Sequence, residues 1–164
     1  MCEVTVMLEA TVGSALKPGP EPVVPDPDRG GRRVLDGCPV AEGFVQYTLD
    51  EDGQPLDAVV LMDEPALPGR EVRARPVAVL YALCDGQPTE VVVCVDTADP
   101  RFVGMAGLED LRAWHADQRS LAQLLGRLGP DRDWAPLRWE GPDAAEEFVF
   151  RAQRSYQRMT GCPE

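Results

Sequence analysis

The stretch Phe44-Val-Gln-Tyr-Thr-Leu-Asp-Glu-Asp-Gly-Gln-Pro-Leu-Asp-Ala-Val-Val-Leu61 decides how this chain is read. Apolar and β-branched residues at Phe44–Leu49 and Asp57–Met62 predict two strands, and Asp50-Glu-Asp-Gly53 between them predicts a turn. Asp52 and Asp57 lie five residues apart, where the first strand ends and the second begins. Two carboxylates placed that way suit a divalent cation, since Mg²⁺ takes few protein carboxylates and completes its shell with water or phosphate oxygens. The same residues also read as a plain β-turn, because Asp-Gly is a turn signal by itself. Spacing alone leaves both readings open.

The pattern extends on either side. Glu3–Ala10 predicts a first strand, Glu71–Leu83 another, and Thr89–Asp96 the last of a series separated by Pro65–Gly69 and Cys84–Pro88. Short strands at such intervals imply a small antiparallel barrel or sandwich. The final third turns helical. Leu111, Trp114, Leu121, Leu124, Leu125 and Leu128 recur at helical spacing. A second helix is predicted from Gly141-Pro142-Asp143 to Gly161, with Ala145, Phe148, Val149, Ala152 and Tyr156 as its buried stripe and Arg151, Arg154 and Arg158 in its C-terminal half. Residues 13–39 hold six of the 16 prolines and five of the 15 glycines, an irregular segment inside what reads as one domain spanning 1–164.

Charge narrows the function. The 16 basic residues against 28 acidic ones leave −12 at pH 7, a field that argues against nucleic acid and anionic membrane as partners. Lys17 is the only lysine and His115 the only histidine, so mechanisms that need a lysine or histidine pair are excluded. No apolar run is long enough to span a bilayer, and Met1-Cys-Glu-Val4 has neither the basic start nor the apolar core of a signal peptide. The five cysteines include no CxxC pair, which favours free thiols, Cys94 among them buried, and a reducing cytoplasm. His115, on a helix, reads as a surface or interface residue.

The central stretch resembles the signature region of soluble family I inorganic pyrophosphatases, Asp-x-Asp-Pro-x-Asp, written here Asp52-Gly-Gln54-Pro-Leu-Asp57. Glu64–Gly69, Arg73–Leu80, Asp99-Pro-Arg-Phe102 and Trp134 agree in order. The resemblance implies an α+β fold, an OB-like five-stranded antiparallel β-barrel with flanking C-terminal helices. It also implies pyrophosphate hydrolysis by several Mg²⁺ ions held in a dense set of carboxylates, with lysines, an arginine and tyrosines on the phosphates, and self-association into oligomers.

Matched position by position, much of that machinery differs here. Asp52 and Asp57 match signature carboxylates, but the middle one is Gln54. The first-strand glutamate falls at about Met7, the tyrosine before the signature is Glu42, and the later acidic loop maps to Cys84, Gln87 and Thr89, with Asp85 a candidate for one acidic place. The helical Tyr-Lys pair aligns with Gly126-Arg127. Deleting one such electrostatic group costs on the order of 10²–10³ in rate, so several losses together are expected to abolish efficient hydrolysis even without additivity.

Three readings follow. The first is a repurposed fold that binds a small molecule in the barrel cavity, lined by Met7, Gln54, Cys84, Thr89 and Arg127. It would perform acid/base cyclisation or isomerisation in a biosynthetic pathway with Asp52, Asp57 and Glu42, whose pKa values burial would raise, and with no cofactor. The second is a non-catalytic binding scaffold. The third is a residual Mg²⁺-dependent diphosphatase holding its metal with Asp52, Asp57 and Asp85.

Overall fold

Runs of valine, alanine and leucine are expected to lie in strands buried on both faces, and that is how this chain folds. The computed structural model describes residues 3–12, 40–62, 68–98, 107–113 and 133–161. Within them lie strands β1 (Val4–Val12), β2 (Val40–Val45), β3 (Asp57–Leu61), β4 (Glu71–Cys84), β5 (Gln87–Asp96) and β6 (Trp134–Glu140). The helices among them are α1 (Leu108–Ala113) and α2 (Pro142–Thr160).

The sheet order is β1-β2-β3-β5-β4-β6, and an additional β1–β4 pairing closes the first five strands into a ring. All neighbours pair antiparallel except β3 and β5, which run parallel. The expected five-stranded barrel is therefore present, with one parallel seam. One core cluster draws Val6, Leu8, Ala41, Val60, Val72 and Val92 from all five ring strands. It fills the interior, and Val149 and Ala152 of α2 close it from one end. A ring this narrow has its lumen filled by side chains. The ligand expected inside the barrel thus has no room there. The second cluster, with Val59, Leu61, Leu80, Val91 and Val93, lies on the outer face, against Leu108, Trp134 and Trp139.

The predicted strand Phe44–Leu49 is displaced toward the N-terminus. β2 ends at Val45, and the chain turns at Gln46 and Tyr47, the latter at φ 60. Thr48 is responsible: its buried hydroxyl donates to the Val45 carbonyl (2.6 Å) and accepts from the Leu56 N–H (3.2 Å). Those bonds bend the backbone where β-propensity favoured extension. Asp85 and Gly86, at φ 51 and 80, form the two-residue turn between β4 and β5, where both positions require the left-handed region.

The C-terminal helix matches its sequence signals. Pro142 occupies the first turn and Gly161 stops the helix at φ 66, its N–H donating to the Gln157 carbonyl (2.9 Å). The sequence pattern gives no strand signal for β6. Among the described strands it pairs only with β4, and Pro136 suits such an edge strand. The Pro/Gly-rich stretch 13–39, the helix expected beyond Ala113 with Leu121, Leu124, Leu125 and Leu128, His115 and Arg127 fall outside the described residues. Among those described, no helix is long and apolar enough to cross a membrane.

β1 and β2 approach closely at Gly43, which pairs with Leu8 beside a bulge between Leu8 and Ala10. A Cβ at Gly43 would overlap the Met7 carbonyl. Gly43→Ala is expected to destabilise the ring by about 2 kcal/mol or more. That corresponds to roughly 4–8 °C in thermal midpoint, read by circular dichroism.

Candidate functional site

Strand register places most of the predicted site residues on the outside of the ring, spread over its five strands. Met7 pairs with Phe44, Phe44 with Asp57, and Asp57 with Val91. Val91 in turn pairs with Leu80, and Thr89 with Ala82. Directly paired residues share a face, as do residues two apart on a strand. Met7, Glu42, Asp57, Thr89 and Cys84 therefore all lie on the outer face of the sheet, with the Leu80 and Val91 side chains. Glu42 pairs with Val59, which makes Asp57 its diagonal neighbour, roughly 7–8 Å away between Cα atoms. Met7, Glu42, Thr89 and Cys84 are half-buried, whereas Asp57 is exposed.

Sequence reasoning passed over Glu9. It is the extra residue of the β1 bulge, flanked by Leu8 and by Ala10, which pairs with Glu42. The bulge sets an exposed carboxylate beside the Glu42 level of the sheet. Alternation along β1 gave no hint of this, since an inserted residue shifts the period.

Asp52 and Gln54 occupy the turn between β2 and β3, and both are exposed. The turn is built by Asp50, whose Oδ1 accepts from the Asp52 and Gln54 N–H groups (2.9 Å each). Its backbone N–H donates to the Gln54 carbonyl (2.7 Å), and Leu49 N–H donates to the Ala152 carbonyl of α2 (3.0 Å). The turn reading of Asp-Gly is thus correct for the backbone. The burial expected for the acid/base carboxylates holds in part at Glu42 and fails at Asp52 and Asp57, both exposed.

Asp85 serves the fold. Its Oδ1 accepts from the Asp133 N–H, and its own N–H donates to the Asp133 carbonyl (2.8 Å each), pinning the β4–β5 hairpin to the start of β6. Among the described residues no three His, Cys, Asp or Glu side chains gather as a metal site. Asp52, Asp57 and Asp85 therefore do not form the triad expected of a Mg²⁺ site. A hard cation that relies on clustered carboxylate oxygens does not fit the donors those three provide.

A cleft of about 880 Å³ opens at the α2 end of the barrel, bounded by Asp50–Asp52, Tyr81, Glu90, Arg151, Arg154 and Arg158. Asp52 borders it but Asp57 does not, so the two signature carboxylates serve different surroundings. Tyr81 donates to Glu140 Oε2 (3.1 Å) with the Arg138 guanidinium 4.4 Å over its ring. Burial, reinforced by that carboxylate, pushes the phenol above its ordinary pKa and keeps it a neutral donor.

A five-strand ring with one parallel seam, capped by a C-terminal helix, defines an OB-like α+β protein. Residues 35–157 match the family profile described as inorganic pyrophosphatase. The chain is 38% identical over 124 residues to the inorganic pyrophosphatase of Synechocystis, covering 73% of this chain and 70% of that one. It is 30% identical over 122 residues to the inorganic pyrophosphatase of Streptomyces coelicolor, covering 74% and 73%. The crystal structure of the Thermus thermophilus inorganic pyrophosphatase superposes with a TM-score of 0.67 at 27% identity, over 94% of this chain and 91% of that one. The chain belongs to the inorganic pyrophosphatase family.

The Thr48 hydroxyl is the internal tie of the turn that carries Asp52 and Gln54. Thr48→Val removes it and strands a buried N–H and carbonyl, at a cost of about 1–3 kcal/mol. Faster amide exchange at Leu56 in the variant is the expected reading.

Proposed function

We propose that this family member has lost efficient Mg²⁺-dependent pyrophosphate hydrolysis and acts on a small organic molecule without hydrolysing it. The reading rests on one observation: on the outer face the positions diagonal to Glu42 and Asp57 are taken by the neutral side chains Met7 and Thr89, with Cys84 farther along β4. Neutral groups there neither concentrate Mg²⁺ nor acidify its bound water.

In the non-hydrolytic reading the diagonal spacing of Glu42 and Asp57 lets both carboxyls reach one ligand lying over them. One carboxyl gives a proton while the other takes one, as a cyclisation or isomerisation requires. The half-buried Met7 and Thr89 supply walls of the kind that bind uncharged organic groups. A cytoplasmic location and self-association complete the proposal.

A specific observation favours residual diphosphatase activity as a second reading: the relatives at 30–38% identity are named inorganic pyrophosphatases. Phosphate release from pyrophosphate with added Mg²⁺ or Mn²⁺, measured beside the Synechocystis enzyme, separates the two. The expected rate is about 10³-fold or more below that enzyme. A rate within about tenfold of it, lowered about 10²-fold by Asp57→Asn, establishes the second reading instead. Conversion of an organic substrate that survives both Glu42→Gln and Asp57→Asn would remove the acid/base mechanism.

A further inference from the structure

The α2 cleft lies apart from the face just discussed, and its charges are sorted by wall. Arg151, Arg154 and Arg158 follow the spacing i, i+3, i+7 and line one side. Asp50, Glu51, Asp52 and Glu90 contribute carboxylates elsewhere around it, while Leu56, Phe148 and Ala152 give it apolar surface. Both arrays are held in place. α2 is seated by the burial of Val149 and Ala152 in the barrel core, and the acidic turn is tied to it by the Leu49–Ala152 hydrogen bond.

The guanidiniums are not consumed by the fold. Among the described residues none of the three makes an ion pair. Arg154 lies 5.8 Å over the Phe150 ring, and Arg158 donates to Ser155 Oγ at 3.5 Å, both neutral partners. In a protein of net charge −12, three arginines along one wall of a cleft are a local reversal of the field. Guanidinium forks match the oxygens of a phosphate or carboxylate. A pure polyanion would meet the carboxylates of Asp52 and Glu90 as well, and they would repel it. A ligand with opposite charges at its two ends satisfies both walls.

We propose that this cleft binds a small zwitterion, its anionic oxyacid head on Arg151, Arg154 and Arg158 and its amine toward Asp52 and Glu90. The site is independent of Glu42 and Asp57, so it stands whether or not the outer face hydrolyses pyrophosphate.

Isothermal titration with three probes tests it: O-phosphoethanolamine carries both charges, methyl phosphate only the anion, and ethanolamine only the cation. O-phosphoethanolamine is expected to bind in the millimolar range or tighter, and about fivefold or more above methyl phosphate. The double variant Arg151→Gln, Arg154→Gln is expected to weaken it about tenfold or more. Asp52→Asn should lessen the preference over methyl phosphate, and Asp57→Asn should leave binding unchanged. These positions are exposed, and matching circular dichroism spectra of the variants verify their fold. No saturable binding up to about 10 mM, equal binding of both phosphates, or binding indifferent to the arginine changes but lost in Asp57→Asn would each overturn the proposal.

Discussion

Closure of the ring through β4 is the constraint on which the rest depends. β4 is 14 residues long because it has three partners: Glu71–Ala74 meet β1, Ala74–Cys84 meet β5, and Val79–Cys84 meet β6. A bulge between Pro76 and Ala78 bends it from one role to the other. Without the β1–β4 pairing the sheet would keep an open edge at β1, and its inner face would face water. The closure sets aside the inner face for packing and leaves chemistry to the outer face and to the ends of the ring.

That division explains why two candidate regions coexist. Register alone decides which residues of β1 to β5 point to the outer face, so its composition follows directly from single positions in the sequence. There, Glu42 has Met7 and Asp57 has Thr89 as a diagonal neighbour, while Cys84 lies farther along β4. The α2 cleft arises differently, from the docking of a helix and a turn that are far apart in the chain. Its charged walls need the helix anchored by Val149 and Ala152 and the turn anchored by Asp50. Disturbing either anchor would blur the separation of charge without removing any charged residue.

The fold was largely legible because the strong local signals agreed with the tertiary outcome. Asp85-Gly86 made the hairpin expected of it, Gly141-Pro142 opened α2, and Gly161 ended it. Where local preference and tertiary contacts disagreed, tertiary contacts won. Tyr47 and Thr48 favour extension, yet the Thr48 hydroxyl is recruited to close the turn. Trp134–Glu140 became a strand because the second half of β4 offered it an edge. The site was less legible: Asp52 and Asp57 are close in sequence but face different surroundings, and Asp85 serves the β6 junction.

The central stretch Phe44–Leu61 by itself determined the family resemblance, the Asp-Gly turn and the replacement of an expected carboxylate by Gln54, since each is a matter of residue identity at a position. Only the tertiary structure decided that the barrel interior is filled, that the bulge sets Glu9 beside the Glu42 level, and that three arginines of α2 line a cleft bordered by an acidic turn. The physical reason is reach: turns and caps depend on hydrogen bonds between neighbours in the chain. Which side chains share a face or a cleft depends on register, bulges and docking among segments that the sequence keeps apart.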